Sequence, residues 1–233
     1  MDVIPVLDLK DGVVVHARMG QRDKYRPIET PLSPTSNPID VARGLLSIYP
    51  FTTVYIADLD AIARSGDNNA ALTRLRNEFP DLTFWVDIGV ADRPSARAWL
   101  NTGLGHLVLG SETQEDAALV RGLCRDGRII LSLDYRGEAF VGPQALLREA
   151  DAWPRRIIAM TLARVGSVMG PDWNRLAAIK SCRPDKLVYA AGGVRDADDL
   201  VALARLGAAG ALVASCLHNG NLAGAQIARL QAT

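Results

Sequence analysis

The chain has 233 residues, of which 48% are hydrophobic, so it is long enough to bury one large core. Its 26 Lys and Arg residues balance 26 Asp and Glu residues, which excludes a strong overall field for nucleic acid or an anionic membrane. Three widely spaced cysteines, a charged first segment and no apolar run near the ~18 residues of a membrane helix predict a cytoplasmic protein that binds no membrane.

Short apolar runs of strand length recur along the chain, with helical patterns between most of them. The runs are rich in β-branched residues and continuous rather than alternating, which is typical of strands covered on both faces. In chain order, the predicted strands are VIPVLD (3–8), TTVYIAD (52–58), LTFWVD (82–87), GHLVLG (105–110), RIILSLD (128–134), RIIAMT (156–161), KLVYAA (186–191) and GALVAS (210–215). The segment PQALLREADAW (143–153) is a weaker helix prediction than the other intervening segments, and NLAGAQIARLQ (221–231) is predicted as the last helix.

Eight strand–helix units in one chain predict an α/β fold, a closed (β/α)8 TIM barrel that occupies residues 1–233 as a single domain. An open, doubly wound sheet is the alternative. One connection, residues 9–37, is unusually long, and a loop of this length is more often a functional lid than filler. Cations on it, Arg22 among them, could bind a phosphate or carboxylate; a solvated loop is the alternative.

The sequence contains an internal repeat. Shifted by 104 positions, GVADRPSARAWLNTGLGHLVLGS (89–111) aligns with GVRDADDLVALARLGAAGALVAS (193–215), and a shift of 126 positions places Asp8 on Asp134. The repeat predicts two half-barrels, about 1–126 and 127–233, that are copies of one four-strand unit. It also predicts two symmetry-related sites at one barrel mouth.

Small residues stand at the ends of the last two predicted strands, where barrels of this type often bind phosphate. Backbone N–H groups near a helix N-terminus can bind a dianion when no side chain blocks the approach. The residues predicted to do so are Gly192, Gly193, Ala214 and Ser215. The alternative is that the glycines only form tight turns.

The first half of the chain has corresponding residues, namely Gly89, Gly110 and Ser111. They predict a second phosphate site, but Asp87 and Ile88 stand where the second half has Ala191 and Gly192. Whether this half binds phosphate is therefore open from the sequence. Asp87 is predicted to bind a polar ligand group in place of the lost phosphate contacts.

The segments VIPVLDLKDGVVVHA, YIADLDAI, LVLGSET, LSLDYRGE, AAGGVRD and GALVASCLHNG resemble the histidine-biosynthesis barrels over nearly the whole chain. These barrels include the phosphoribosylformimino-aminoimidazole-carboxamide ribotide isomerases and the imidazole glycerol phosphate synthase cyclases. The resemblance implies a duplicated barrel and a ligand with phosphates at both ends. It implies two catalytic aspartates, which correspond to Asp8 and Asp134, and a threonine that corresponds to Thr161.

The chemistry of the isomerase fits two aspartates. An Amadori isomerisation converts an aminoaldose into an aminoketose, with one group protonating the ring oxygen and another removing the proton from C2. Two carboxyl groups can do both when their environments separate their pKa values, so no cofactor or metal is expected. The alternative for each aspartate is a helix cap or a salt bridge in the rim.

Several residues depart from the family pattern. His16 stands where the family has Arg or Lys, and it is either an acid–base group or a neutral rim residue. Of Asp58 and Asp60, one is predicted to face the mouth. The long basic loop resembles a divergent isomerase-like branch of methanogenic archaea and methylotrophic bacteria.

Three functions therefore stay open. The first is a ribotide-type isomerase. The second is a paralogue that acts as a lyase, synthase or isomerase on a phosphorylated intermediate of one-carbon cofactor synthesis (tetrahydromethanopterin or methanofuran). The third is a barrel that binds a phosphorylated ligand without catalysis. The expected partner is a phosphorylated small molecule, and the expected assembly is a monomer or small homo-oligomer.

Overall fold

The structure, a computed structural model, describes residues 1–231 and shows a closed parallel barrel. Within this range the strands are β1 (Asp2–Lys10), β2 (Val13–Val15), β3 (Thr53–Asp58), β4 (Thr83–Asp87), β5 (His106–Gly110), β6 (Ile129–Arg136), β7 (Ala139–Val141), β8 (Arg156–Thr161), β9 (Leu187–Ala191) and β10 (Gly210–Val213). The order β1-β3-β4-β5-β6-β8-β9-β10 is parallel throughout, and β10 pairs with β1. The predicted (β/α)8 TIM barrel is confirmed.

Helices follow the barrel strands, and several of them begin at side-chain caps. In chain order they are α1 (Pro38–Ile48), α2 (Leu59–Ile62), α3 (Asn69–Glu78), α4 (Arg93–Thr102), α5 (Ala118–Leu123), α6 (Ala145–Arg148), α7 (Trp173–Cys182), α8 (Ala197–Arg205), α9 (Ser215–His218) and α10 (Gly224–Gln231). Asn37, Asp92 and Asp196 accept an N–H from the first turn of α1, α4 and α8. Each such cap stabilises a helix by about 1 kcal/mol and fixes where it begins. No helix within residues 1–231 is both long and apolar enough to cross a membrane.

Buried side chains form two layers, one between the strands and the helices and one inside the barrel. Alternate strand residues such as Leu7, Ile56 and Leu131 face the helices, while their neighbours face the barrel interior. Tyr55, Trp85, Val108, Ile130, Ile158, Tyr189 and Leu212 are in the inner layer. The rings of Trp85 and Tyr189 meet edge to face with centroids 4.9 Å apart. These side chains fill the lower barrel, and a cavity opens above them at the mouth.

The internal repeat is visible in the secondary structure. The short strand β2 pairs antiparallel with β1, and β7 pairs antiparallel with β6. Asp8 lies opposite Val15, and Asp134 lies opposite Val141 in the same arrangement. In the ring of eight parallel strands, β1 and β6 are four positions apart and thus diametrically opposed.

Two sequence expectations are refined by the structure. The 9–37 connection is partly ordered, because it contains the end of β1, the strand β2 and a 3-10 turn at Arg22–Lys24. The 143–153 segment forms only the short helix α6 and a 3-10 turn at Ala150–Ala152. There the indole N–H of Trp153 donates to the Leu146 carbonyl, an acceptor that a continuing helix would use itself.

Candidate active site

A cavity opens at the carboxyl ends of the barrel strands, where the chemistry of such barrels is found. It brings together residues from both halves of the chain and from the loop that follows β2. The sequence-predicted residues that line it are Asp8, His16, Arg22, Asp87, Asp134, Gly192, Gly193, Ala214 and Ser215. Those that do not line it are Asp58, Gly89, Gly110, Ser111 and Thr161.

Asp134, near the end of β6, is held by three hydrogen-bond donors. Its Oδ1 accepts from the Ser132 hydroxyl at 2.6 Å, and its Oδ2 lies 3.0 Å from the Ser111 hydroxyl and accepts from the Glu112 N–H at 3.2 Å. Burial raises the pKa of this carboxyl to about 6, whereas the three donors oppose the rise by favouring the charged form. Asp134 is thus fixed in orientation and supplied with partners for a carboxylate.

Asp8, on the opposite strand β1, has a different environment. Its side chain is partly exposed to the cavity and makes no hydrogen bond within the described part of the chain. Burial raises its pKa to about 7, with Arg22 opposing the rise. A carboxyl without donors keeps its proton to higher pH than one that accepts several. Asp8 and Asp134 are therefore two carboxyls with unequal surroundings across one mouth.

A third buried carboxyl, Asp87, lies at the end of β4. Its Oδ1 accepts from the Gly89 N–H at 2.9 Å, while Oδ2 accepts no hydrogen bond from residues 1–231. Burial raises its pKa to about 7, and the nearby Asp134 and Glu112 add to the rise. A Cβ on Gly110 would lie 3.0 Å from Asp87 Oδ2 and 3.5 Å from Asp134 Oδ2. Glycine at this position therefore leaves room for two carboxyls to approach each other.

The loop after β2 reaches across the mouth through Arg22. Its guanidinium forms a part-buried ion pair with Glu112, which follows β5. Burial lowers the pKa of Arg22, but Glu112 outweighs this effect and the net shift is upward. The same loop contacts the segment after β8, because the Met19 N–H donates to the Val165 carbonyl at 2.8 Å. Residues 17–25 therefore cover part of the cavity.

Gly192 and Gly193 follow β9 and have left-handed φ angles of 98° and 87°. A Cβ on Gly192 would lie 2.7 Å from the Thr161 carbonyl oxygen, and one on Gly193 would lie 2.2 Å from that of Gly170. The backbone of the segment after β8 therefore already requires both glycines. The tight-turn alternative accounts for their presence, and phosphate binding needs separate support.

Two serines that correspond in the repeat have different surroundings. The Ser111 hydroxyl accepts from the Asp134 N–H at 2.8 Å and lies 2.7 Å from the Val141 carbonyl oxygen. Ser215, at the start of α9, lines the cavity, and its hydroxyl makes no hydrogen bond to residues 1–231. Only the second half thus offers a free serine hydroxyl at the mouth.

Asp58 and Asp60 do not line the cavity; Asp60 binds the tip of the β1–β2 hairpin, and Asp58 binds Asn68, whose Oδ1 accepts from the Gly12 N–H of that tip. Asp58 is fully buried and accepts from the Ala61 N–H and from both the backbone and side-chain N–H groups of Asn68. Asp60 Oδ2 accepts from the Asp11 N–H at 2.7 Å. The expectation that Asp58 or Asp60 faces the mouth is therefore corrected, because these backbone donors occupy both carboxylates.

Thr161 ends β8 and is buried. Its hydroxyl lies 3.4 Å from Asp172 Oδ2 and does not line the cavity, so its catalytic role stays a prediction. His16 does line the cavity, and burial, with Arg18, lowers its pKa. The neutral form of His16 is therefore favoured at neutral pH.

The cavity residues that were not assigned to the site from the sequence include four polar ones, Tyr55, Glu112, Arg136 and His218. Tyr55 lies two residues before Ala57 on β3, so the alternation of side chains along a strand places both on the inner face. The sequence alone could have indicated this. His218 was interpreted as packing or surface, yet its Nδ1 lies 3.1 Å from the Thr30 hydroxyl, and burial lowers its pKa to about 4.

Asp87→Asn is expected to stabilise the protein at pH 8 by on the order of 2–4 kcal/mol. The pKa of Asp87 rises from 3.8 to about 7, so the folded state retains a proton that the unfolded state releases between these values. Stability is therefore lost as pH rises through this window, and asparagine removes that loss while keeping an acceptor for Gly89. Urea denaturation at pH 4 and pH 8 measures the effect.

The control is Asp81→Asn, in an exposed turn. A gain at pH 8 that is no larger than the gain at pH 4 would contradict the assignment of Asp87 as a carboxyl strained by burial.

The similarity to known proteins extends over nearly the whole chain. The family model described as "Histidine biosynthesis protein" matches residues 2–223. An uncharacterized protein of Methanocaldococcus jannaschii is 30% identical over 228 residues, which cover 95% of each chain. A 1-(5-phosphoribosyl)-5-((5-phosphoribosylamino)methylideneamino) imidazole-4-carboxamide isomerase of Halorhodospira halophila is 28% identical over 245 residues, 95% of this chain and 94% of that protein. The isomerase of the same name from Myxococcus xanthus is 29% identical over 244 residues, 98% of each.

Proposed function

The chain belongs to the histidine biosynthesis protein family, and from this membership we propose that it isomerises a phosphorylated aminoaldose to an aminoketose without a cofactor. The observation that carries the proposal is the pair Asp8 and Asp134, on diametrically opposed strands at one cavity. The relatives named as isomerases support the reaction class. The unequal environments of the two carboxyls support separate acid and base roles.

In the proposed mechanism Asp8 is the acid and Asp134 the base. Asp8 gives its proton to the ring oxygen as the bond between that oxygen and C1 breaks, which leaves an open-chain iminium. Asp134 then removes the proton from C2 to give an enol. The Asp8 carboxylate accepts the proton of the C2 hydroxyl while Asp134 returns its proton to C1, so the ketone forms and both carboxyls are regenerated.

The phosphate of the substrate is proposed to bind beside Gly192, Gly193, Ala214 and Ser215. All four line the cavity, and the free hydroxyl of Ser215 gives this side a donor without a protein acceptor. Because the two glycines are already required by the chain itself, Ser215→Ala is the informative substitution. It should weaken binding of inorganic phosphate without altering the fold.

A bell-shaped dependence of kcat/KM on pH is expected, with a narrow optimum between about 6 and 7. Activity rises as Asp134 loses its proton through a pKa of about 6 and falls as Asp8 loses its proton through a pKa of about 7. Initial rates between pH 5 and 9 test this, with the chain's stability checked at each pH. A rate that is flat across this range would contradict the assigned roles.

The substrate named for the relatives gives the direct experiment. Purified chain is incubated with that ribotide, and ketose formation is followed with Asp8→Asn as the inactive control. Growth of a histidine auxotroph that lacks the isomerase is the cellular counterpart. Turnover and growth would identify a ribotide isomerase, whereas failure with folded protein would exclude this substrate.

A second candidate is a divergent paralogue that acts on a smaller phosphorylated intermediate of one-carbon cofactor synthesis, as a lyase, synthase or isomerase. The loss of free donors in the first half, where Ser111 and the Glu112 N–H serve Asp134, favours it. The similarity to an uncharacterized protein of Methanocaldococcus jannaschii is consistent with it. A barrel that binds phosphate but catalyses nothing is the third possibility. Turnover by the wild type, with none by Asp8→Asn, would exclude it.

A further inference from the structure

We propose that the first-half side of the cavity binds a primary ammonium group, so that the substrate carries one phosphate and, at its far end, one protonated amine. This inference rests on the proposed function, because it takes the phosphate to bind on the Ser215 side. We call the residues concerned the acidic side of the cavity: Tyr55, Asp87, Glu112 and Asp134, all of which line it.

The first step is the loss of anion donors on this side. By the repeat, Ser111 corresponds to Ser215, but the Ser111 hydroxyl and the Glu112 N–H both face Asp134 Oδ2, at 3.0 and 3.2 Å. The Gly89 N–H is taken as well, because it donates to Asp87 Oδ1. Two backbone donors that could have bound a phosphate are thus directed at carboxylates of the protein, and the single hydroxyl proton of Ser111 is shared between Asp134 Oδ2 and the Val141 carbonyl oxygen.

The second step is charge. Asp87 occupies the place that Ala191 holds in the second half, so the repeat has a carboxyl where the phosphate side has a methyl group. Glu112 and Asp134 add two more carboxyls nearby, and both raise the pKa of Asp87. A phosphate dianion placed here would be repelled, while a cation would be attracted and would favour ionised carboxylates.

The third step is independent of charge, and concerns acceptors that lack a partner. Asp87 is 6% exposed and its Oδ2 accepts no hydrogen bond within the described chain. Tyr55 is 4% exposed, and its hydroxyl likewise has no hydrogen-bond partner among residues 1–231. Neither oxygen is among the fully buried atoms that lack a partner in residues 1–231, so both are open to the cavity, where they can accept hydrogen bonds from a ligand.

The cation Arg22 also lines this side of the cavity, and a free arginine there would favour an anionic ligand. Its guanidinium is already ion-paired with Glu112, and Asp87 and Asp8 lie within electrostatic reach of it. One guanidinium therefore faces three carboxyls. A primary ammonium has three donors on a compact head, which matches several oxygens around a small space better than a planar group does.

The test uses matched pairs of phosphate monoesters. Calorimetry at pH 7.5 compares ω-aminoalkyl phosphates with ω-hydroxyalkyl phosphates of three to eight carbons, together with inorganic phosphate and the corresponding alkane bisphosphates. At the best length, the amine is expected to bind the wild type about 10-fold or more tightly than the alcohol. Asp87→Asn should reduce this ratio to about 2-fold or less while leaving the affinity for inorganic phosphate unchanged.

Two further variants make the result specific. Tyr55→Phe removes only a hydroxyl and should lower the amine preference without changing phosphate affinity, which gives a readout that is independent of Asp87. Asp81→Asn, on the exposed turn, should leave every affinity unchanged.

Equal binding of amine and alcohol at every length, or tightest binding of a bisphosphate, would overturn this inference while leaving the proposed function intact. Failure of every phosphate probe to bind folded wild type would overturn both.

Discussion

Asp8→Asn and Asp134→Asn are each expected to lower kcat by about 10²–10⁴-fold while leaving the Kd for inorganic phosphate unchanged. Both carboxyls line the cavity from opposed strands, and asparagine keeps their size but cannot exchange a proton. The phosphate is proposed to bind on the Ser215 side. Single-turnover rates and calorimetry on the same preparations separate the two effects.

The double variant sharpens this prediction. If the two aspartates act in one proton-transfer sequence, removing both should cost little more than removing the more damaging one alone. Asp81→Asn, the same substitution on an exposed turn, is the control and should leave kcat unchanged. Parallel losses in kcat and phosphate affinity would instead mark Asp8 or Asp134 as a binding residue, and activity within a few-fold of wild type would exclude the proposed pair.

The barrel was predictable because its strands are continuous apolar runs of regular spacing, a pattern that fits strands covered on both faces. The family resemblance pointed to Asp8 and Asp134, and both have the inward parity that, at the carboxyl end of a barrel strand, places a side chain at the mouth. The repeat added that the two lie in corresponding places. Local sequence and the architecture together were enough for this part of the site.

Hydrogen-bond partners were not predictable in the same way. The Ser111 hydroxyl is occupied by Asp134 and Val141, residues of a different strand pair whose distance depends on how β5, β6 and β7 meet. The carboxylate of Asp58 is likewise occupied by Asn68, ten positions away. Residue type indicated a polar role in each case, but only tertiary contacts decide whether the group is free for a ligand.

The glycines after β9 show the same limit for backbone. The sequence indicated that something approaches closely at Gly192 and Gly193, and a phosphate was the expected cause. The structure shows carbonyl oxygens of Thr161 and Gly170 in that space. These lie before and after a loop of irregular conformation, and a loop's path is the part of a fold that residue patterns specify least.

Gly193→Ala is therefore expected to destabilise the protein by about 3 kcal/mol or more, and to reduce phosphate affinity as a consequence. The added Cβ would lie 2.2 Å from the Gly170 carbonyl oxygen, and a φ of 87° is unfavourable for any L side chain. Because the obstructing atom belongs to the backbone, the loop after β8 must move, and its residues Leu162 and Val165 line the cavity.

Gly103→Ala is the matched control, since Gly103 has a φ of 69° but a Cβ there meets nothing within 4 Å. The free energy of unfolding of that variant should fall by only about 1–2 kcal/mol, the cost of a left-handed backbone conformation for alanine. Urea denaturation of both variants measures the difference, and equal losses would show that backbone conformation alone, and not the approach of the loop, requires glycine at position 193.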